Sequence, residues 1–214
     1  MSEEIFREVD EELREENLLR LWRRFGPYVV ATVVAVVVVT ASSIGWKEYR
    51  TSQLRAWGAS FSEAMSLGGQ EDPASAAAAF AKITKEAGEG YPTLSRLQEA
   101  ALLARSGDTS GALAIYNDLS ETAIDQRFRE LAVILAGYLD LDTHDPVELE
   151  ARLAPLTADN NPWHYSAIEL TAFIAVRTED LQRARDIFTK LSEDAQAPAG
   201  VRSRARDMLA IIGD

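Results

Sequence analysis

The sequence predicts an all-α chain: a single transmembrane helix followed by an α-solenoid of about four helical hairpins plus a C-terminal capping helix. Three observations lead there. From Phe25 to Trp46 there are 22 consecutive residues without a charge. Beyond that stretch, alanines, leucines and aspartates recur with a period of 36 residues. Within each period the apolar positions follow helical spacing in two stretches divided by a polar turn.

Residues 1–24 read as a short helical tail. Ser2 is placed to cap it, with Glu3 and Glu4 favourable in the first turn. Ile5, Val9 and Leu13 recur at i, i+4 and form a narrow apolar stripe. That stripe suits a docking helix, and equally a solvated helix that only positions the anchor.

Residues 25–46 read as the transmembrane helix. Eight valines fall between Val29 and Val39. At helical rise the segment is about 33 Å long, which matches a hydrocarbon core of about 30 Å. A strand of this length is excluded by ordinary strand dimensions, and an isolated segment in lipid satisfies its backbone only as a helix. Trp22, Phe25 and Tyr28 flank one end and Trp46 and Tyr49 the other, as expected of interfacial aromatics. Arg20, Arg23 and Arg24 precede the segment, and Lys47, Arg50 and Arg55 follow it, so flanking charge is almost balanced. The Arg23–Arg24 pair and the short tail favour a cytoplasmic N-terminus and an exported C-terminal domain. The opposite topology stays open. A cleaved signal peptide is the rival to an uncleaved anchor, because Ala41-Ser42-Ser43 resembles a small-residue cleavage site. The long acidic region ahead of the span argues against it. Arg23-Arg24 followed by Phe25-Gly26-Pro27 is a poor match to a twin-arginine signal. Ala31 and Ala35 have small-xxx-small spacing, but in a Val/Ala-rich span that spacing is nearly unavoidable and sets no oligomeric state.

Residues 47–214 read as the soluble solenoid. Ala64, Ala100, Ala136 and Ala172 share one phase of the 36-residue period; Leu67, Leu103 and Leu139 share another, with Ala175 as fourth member. Asp72, Asp108 and Asp180 share a third, where His144 is the exception. Ala76, Ala112 and Ala184 align, each followed four residues later by Phe80, Tyr116 or Phe188. Ile83, Leu119 and Leu191 align next, then Ala87, Ala123 and Ala195. In one copy, Thr93–Ser106 is the predicted first helix (helix A), Gly107-Asp108 the turn, and Ala112 to Leu119 the apolar stripe of the second (helix B). Small alanines allow helices to approach, and the aromatic fills the space beyond. One such hairpin cannot bury its apolar face; a stack of them can. In the third copy Glu148 and Arg152 replace the alanine and aromatic of helix B, while Leu149, Leu153 and Leu156 keep a stripe, which predicts a shorter or tilted helix. Asn161-Pro162 predicts a capped start with proline at the first helical position, and Trp163 to Val176 the last helix A, with Leu181 to Leu191 as its helix B. After Pro198, Ala199–Ile212 forms an arginine-rich closing helix.

Composition excludes several functions. The net charge is −12, from 34 acidic and 22 basic residues, and neither 1–24 nor 47–214 is basic, so no nucleic-acid surface is expected. Without cysteine there is no disulfide, thiolate nucleophile or zinc–thiolate site. No catalytic or cofactor motif is present, and the two histidines, His144 and His164, stand apart from any metalloprotease pattern. The run from Asp140 to Asp145 lacks the glycine and glutamate of a calcium loop and reads as a polar turn. Gly88-Glu89-Gly90 reads as a turn between repeats. Neither catalysis nor a bound metal or cofactor is expected.

The period also aligns Arg55, Tyr91, Arg127 and Trp163 near the starts of successive A helices, with His164 and Tyr165 beside the last. Residues at one phase of a solenoid form a row, and Tyr, Trp and Arg are enriched at interface hot spots. These six are the candidate protein-binding residues. Packing between A helices is the competing reading of the same row.

The glycine–acidic turn, the alanine and the aromatic of helix B resemble the tetratricopeptide repeat over about residues 51–196, with a period of 36 where about 34 is usual. With the short tail, the single span, Ala184–Phe188, Asn161-Pro162-Trp163 and Pro198-Ala199-Gly200, the chain is similar to the YfgM-type family of ancillary SecYEG translocon subunits. That family is also described with the tetratricopeptide domain of a cell-division coordinator. The resemblance implies a bacterial inner-membrane protein with a periplasmic domain, whose partners are translocon subunits or periplasmic chaperones. A scaffold for cell division or envelope growth is the alternative that the same resemblance implies.

Overall fold

The computed structural model describes residues 2–69, 73–88 and 90–213, and of 2–21, 29 and 74 the backbone only. The tail stripe at Ile5, Val9 and Leu13, the Ser2 cap, Asp72 and Glu89 therefore lie outside the described side chains. Every element among the described residues is helical. The chain divides into two units, Met1–Ala56 and Trp57–Asp214.

The described residues of the first unit lie within helix α1, Ser2–Gly69. An 18-residue window of this helix has mean hydropathy 2.2, long and apolar enough to cross a membrane. Its valines from Val30 to Val39 are 54–68% exposed, so no other part of the described chain covers them. Two threonines inside the stretch turn inward on the helix. Thr32 Oγ1 donates to the Tyr28 carbonyl and Thr40 Oγ1 to that of Val36, both at 2.8 Å. This back-bonding satisfies both threonine hydroxyls without water, which suits a hydrocarbon environment. Pro27 lies within the helix, and the Trp22 ring covers Gly26 so closely that a Cβ there would sit 3.2 Å from it.

The second unit is a stack of hairpins. Its first pairs the end of α1 with α2, Pro73–Glu86; the second is α3, Tyr91–Ser106, with α4, Thr109–Thr122. The third is α5, Gln126–Leu139, with α6, Pro146–Leu153, and a 3-10 turn over Ala154–Thr157. The fourth is α7, His164–Arg177, with α8, Leu181–Glu193, and α9, Ala199–Ile212, closes the stack.

The 36-residue period is the core. Ala64, Ala100, Ala136 and Ala172 are at most 3% exposed, and Ala76, Ala112 and Ala184 are fully buried beside Phe80, Tyr116 and Phe188. Each apolar cluster closes only with the next hairpin. Leu102 of α3 completes the first, Ala132 and Ala136 of α5 the second, Leu170 and Ile174 of α7 the third, and Val201 and Ala205 of α9 the last. Hydrophobic burial, at roughly 25 cal/mol per Å², therefore rewards stacking, not the isolated hairpin.

The turns use the predicted residues. Asp108 and Asp180 cap α4 and α8 by accepting from the backbone N–H groups of Gly111 and Arg183. Gly107 ends α3 at φ 92°, while the equivalent Glu179 takes φ 61° with a side chain. In the degraded third copy Asp145 takes over the cap, accepting from Val147 and Glu148, and helix α6 is short as predicted. Its stripe moves one residue, with Leu149, Leu153 and Leu156 buried and Glu148 exposed.

Two boundaries differ from expectation. Helix α3 begins at Tyr91, ahead of Thr93, because Gly90 at φ 85° turns the chain into it and Pro92 fits the first turn. Helix α7 begins at His164, so Pro162 is not its first residue. The Asn161 side chain accepts from Trp163 N at 2.7 Å in a turn that precedes the helix.

Candidate functional site

The six candidate residues fall into distinct environments. Arg55 lies in the first unit, exposed, 3.8 Å from Glu48. Tyr91 starts α3 and packs on the first core cluster, its ring 6.1 Å from Phe61. Its hydroxyl comes within 3.0 Å of where a Cβ on Gly58 would be, so the glycine makes room for it.

Arg127 and Trp163 are brought together. The Trp163 indole Nε1 donates to the Arg127 carbonyl at 3.0 Å, one full period back, and the ring packs against the third cluster. The Arg127 guanidinium grips Asp125, which also accepts from the Arg127 backbone N–H to cap α5. These bonds to Arg127 hold the Asp125 carboxyl down at about 2. Trp163 thus serves repeat-to-repeat packing, while the Arg127 side chain stays 72% exposed.

His164 and Tyr165 open onto a cleft of about 450 Å³, formed by α7, α8 and the end of the 3-10 turn. The His164 Nδ1 donates to the Thr157 carbonyl at 2.7 Å, and the ring meets Tyr165 edge-on at 4.9 Å. The Tyr165 hydroxyl donates to Asp194 Oδ2 at 3.0 Å. The Gln196 N–H and then this hydroxyl hold the Asp194 carboxyl below its ordinary value. Ile168, Ile187 and Leu191 line the apolar part of the cleft, and Asp159 and Lys190 also line it.

A further group escapes the row. Glu169 is fully buried on α7. It accepts from Arg204 Nε and Nη2 of α9, each at 2.7 Å, and from the Tyr138 hydroxyl of α5 at 2.5 Å. Burial and then the Glu169 carboxylate push the Tyr138 hydroxyl up. One carboxylate so joins three consecutive A-type helices. The sequence signal was present: Glu169 stands at the phase of Leu97, Val133 and Ala205, where a charge is out of place.

The turn from Asp140 to Asp145 is structural. His144 Nδ1 lies 2.8 Å from Asp140 Oδ2, and Arg177 donates to the carbonyls of Leu141 and His144, both at 2.6 Å. Among the described residues no group of three or more His, Cys, Asp or Glu side chains could hold a metal ion. Among the described residues the second unit holds a cleft of ligand-binding size beside α7.

A family model described as a tetratricopeptide repeat-like domain matches residues 20–203. No curated protein and no solved structure matches the chain.

Proposed function

The chain belongs to the tetratricopeptide repeat-like family, and on that premise we propose that it is a membrane-anchored adaptor that binds proteins and carries out no catalysis. The observation that carries this reading is the pairing of an uncovered apolar helix with a stack of hairpins whose residues supply surface rather than convergent catalytic groups. A solenoid presents an extended face, and its recurring positions place side chains in rows that a partner can read. Within the second unit, Arg127, His164 and Tyr165 are the exposed or cleft-lining members of the proposed row. Tyr91 and Trp163 hold the helices that present it, and Arg55 lies in the membrane-anchoring unit.

In its fuller form the proposal is a single-pass bacterial inner-membrane protein. Residues 1–24 are the cytoplasmic tail, 25–46 the transmembrane span and 47–214 the periplasmic domain, acting as an accessory to the secretion translocon and its periplasmic chaperones. The resemblance to the YfgM-type family supports this form. The test is a crosslink-stabilised pull-down of the tagged full-length chain from native membranes, with the recovered proteins identified by mass spectrometry. Translocon subunits or an anchored chaperone are the expected partners. Division or cell-wall machinery instead would move the assignment to an envelope scaffold, and recovery of no specific partner would overturn the adaptor reading.

A further inference from the structure

The cleft beside α7 has a chemistry more selective than a general interaction face. The Thr157 carbonyl can only accept, so the proton of a neutral His164 ring sits on Nδ1 and Nε2 presents a lone pair. That lone pair faces Asp159 Oδ1 at 3.9 Å. In that tautomer Nε2 does not donate to Asp159 and is open to a donor from a ligand. Asp159 is fully exposed, and no lysine or arginine among the described residues lies within ion-pairing distance of it. Across the cleft Asp194 is a second carboxylate, kept ionised by the Gln196 N–H and the Tyr165 hydroxyl. The lining also includes the apolar side chains of Ile168, Ile187 and Leu191, and Lys190, one turn before Asp194, is its cation. From Trp57 onward the chain holds 25 acidic against 14 basic residues, so the surrounding field also favours a positive ligand.

We propose that this cleft takes a protein segment presenting an arginine or lysine close to a large aliphatic side chain. The cation sits between Asp159 and His164 Nε2, where its N–H groups satisfy both acceptors, and the aliphatic group covers Ile168, Ile187 and Leu191. The inference rests on the adaptor reading and specifies the partner's chemistry.

The experiment uses the full-length chain in lipid nanodiscs with isoleucine methyl groups labelled for NMR. The probes are the acetylated amide Gly-Arg-Gly-Leu-Leu-Gly and its counterparts with Gln or Glu for Arg. The arginine peptide is expected to shift Ile168 and Ile187 and to leave Ile124 and Ile211 in place. The glutamine peptide should bind about fivefold more weakly, the order of one exposed ion pair, and the glutamate peptide more weakly still. Asp159→Asn, on a fully exposed side chain, should bring the arginine peptide to the affinity of the glutamine one while leaving the remaining spectrum unchanged. Equal response to the three peptides, no response, or unchanged affinity in Asp159→Asn would overturn the proposal. If the cleft is silent while crosslinked partners are still recovered from the unsubstituted chain, the cleft assignment fails and the adaptor reading stands. Absence of partners from the unsubstituted chain removes the adaptor reading itself.

Discussion

Substitutions at the Glu169–Arg204 pair should be strongly unequal. Arg204→Met strands a carboxylate that is fully buried, leaving it with the Tyr138 hydroxyl alone. Breaking a buried pair in this way costs about 3–5 kcal/mol, and the remaining bond places this case toward 3. Glu169→Leu leaves a guanidinium whose side chain is already 53% exposed and can turn to water, together with a partly buried tyrosine that is 36% exposed. Losing those bonds costs about 1–2 kcal/mol. The double variant Glu169→Leu/Arg204→Met removes both charges and should lie near Glu169→Leu alone, a coupling of about 3 kcal/mol. Urea unfolding of the full chain in detergent, followed by far-ultraviolet circular dichroism, reads all four midpoints. Equal effects of the two single changes, or a double variant equal to their sum, would refute the account of the pair as a buried latch between helices.

Other perturbations probe the repeat and its caps. Glu179 stands at positive φ where the equivalent repeat position is Gly107, so Glu179→Gly should stabilise by about 1 kcal/mol and Gly107→Glu should destabilise by about as much; thermal midpoints check both. Ala172 is fully buried where α7 meets its neighbours, and Ala172→Leu should cost about 1–3 kcal/mol through overpacking, read from the same melts. The Asp125 carboxyl is lowered from 3.8 to about 2 by Arg127. Its contribution is therefore present above 3.8 and lost as pH falls toward 2. Asp125→Asn should lower stability at neutral pH and converge on the parent as pH falls toward 2, flattening that part of an acid titration of stability.

The solenoid was legible because its repeat is written in small buried residues. Alanine at one phase in four copies reports a helix contact that no larger side chain fits, and aspartate at the turn reports a cap. The third copy was legible only in part. His144 displaced the capping aspartate, and Asp145 took the role one residue later, so the stripe shifted with it. Pro162 misled because Asn161 folds a turn before the helix, not its first turn. The row of site residues was visible as a phase, but a phase does not say which way a side chain turns. Trp163 went into packing and His164 into the cleft, although they are adjacent. The Glu169 latch depends on partners 31 and 35 residues away, a pairing that only the stacked helices bring about.

The most direct measurement is site-specific photo-crosslinking in native membranes, with a photoreactive residue placed in the full chain at position 159 or 190 of the cleft and, as control, at position 124. The adaptor account predicts a discrete adduct to one membrane or exported protein from 159 and 190, the same protein that the pull-down recovers, and none from 124. Adducts absent from both cleft positions and from every other exposed position of the solenoid would contradict it.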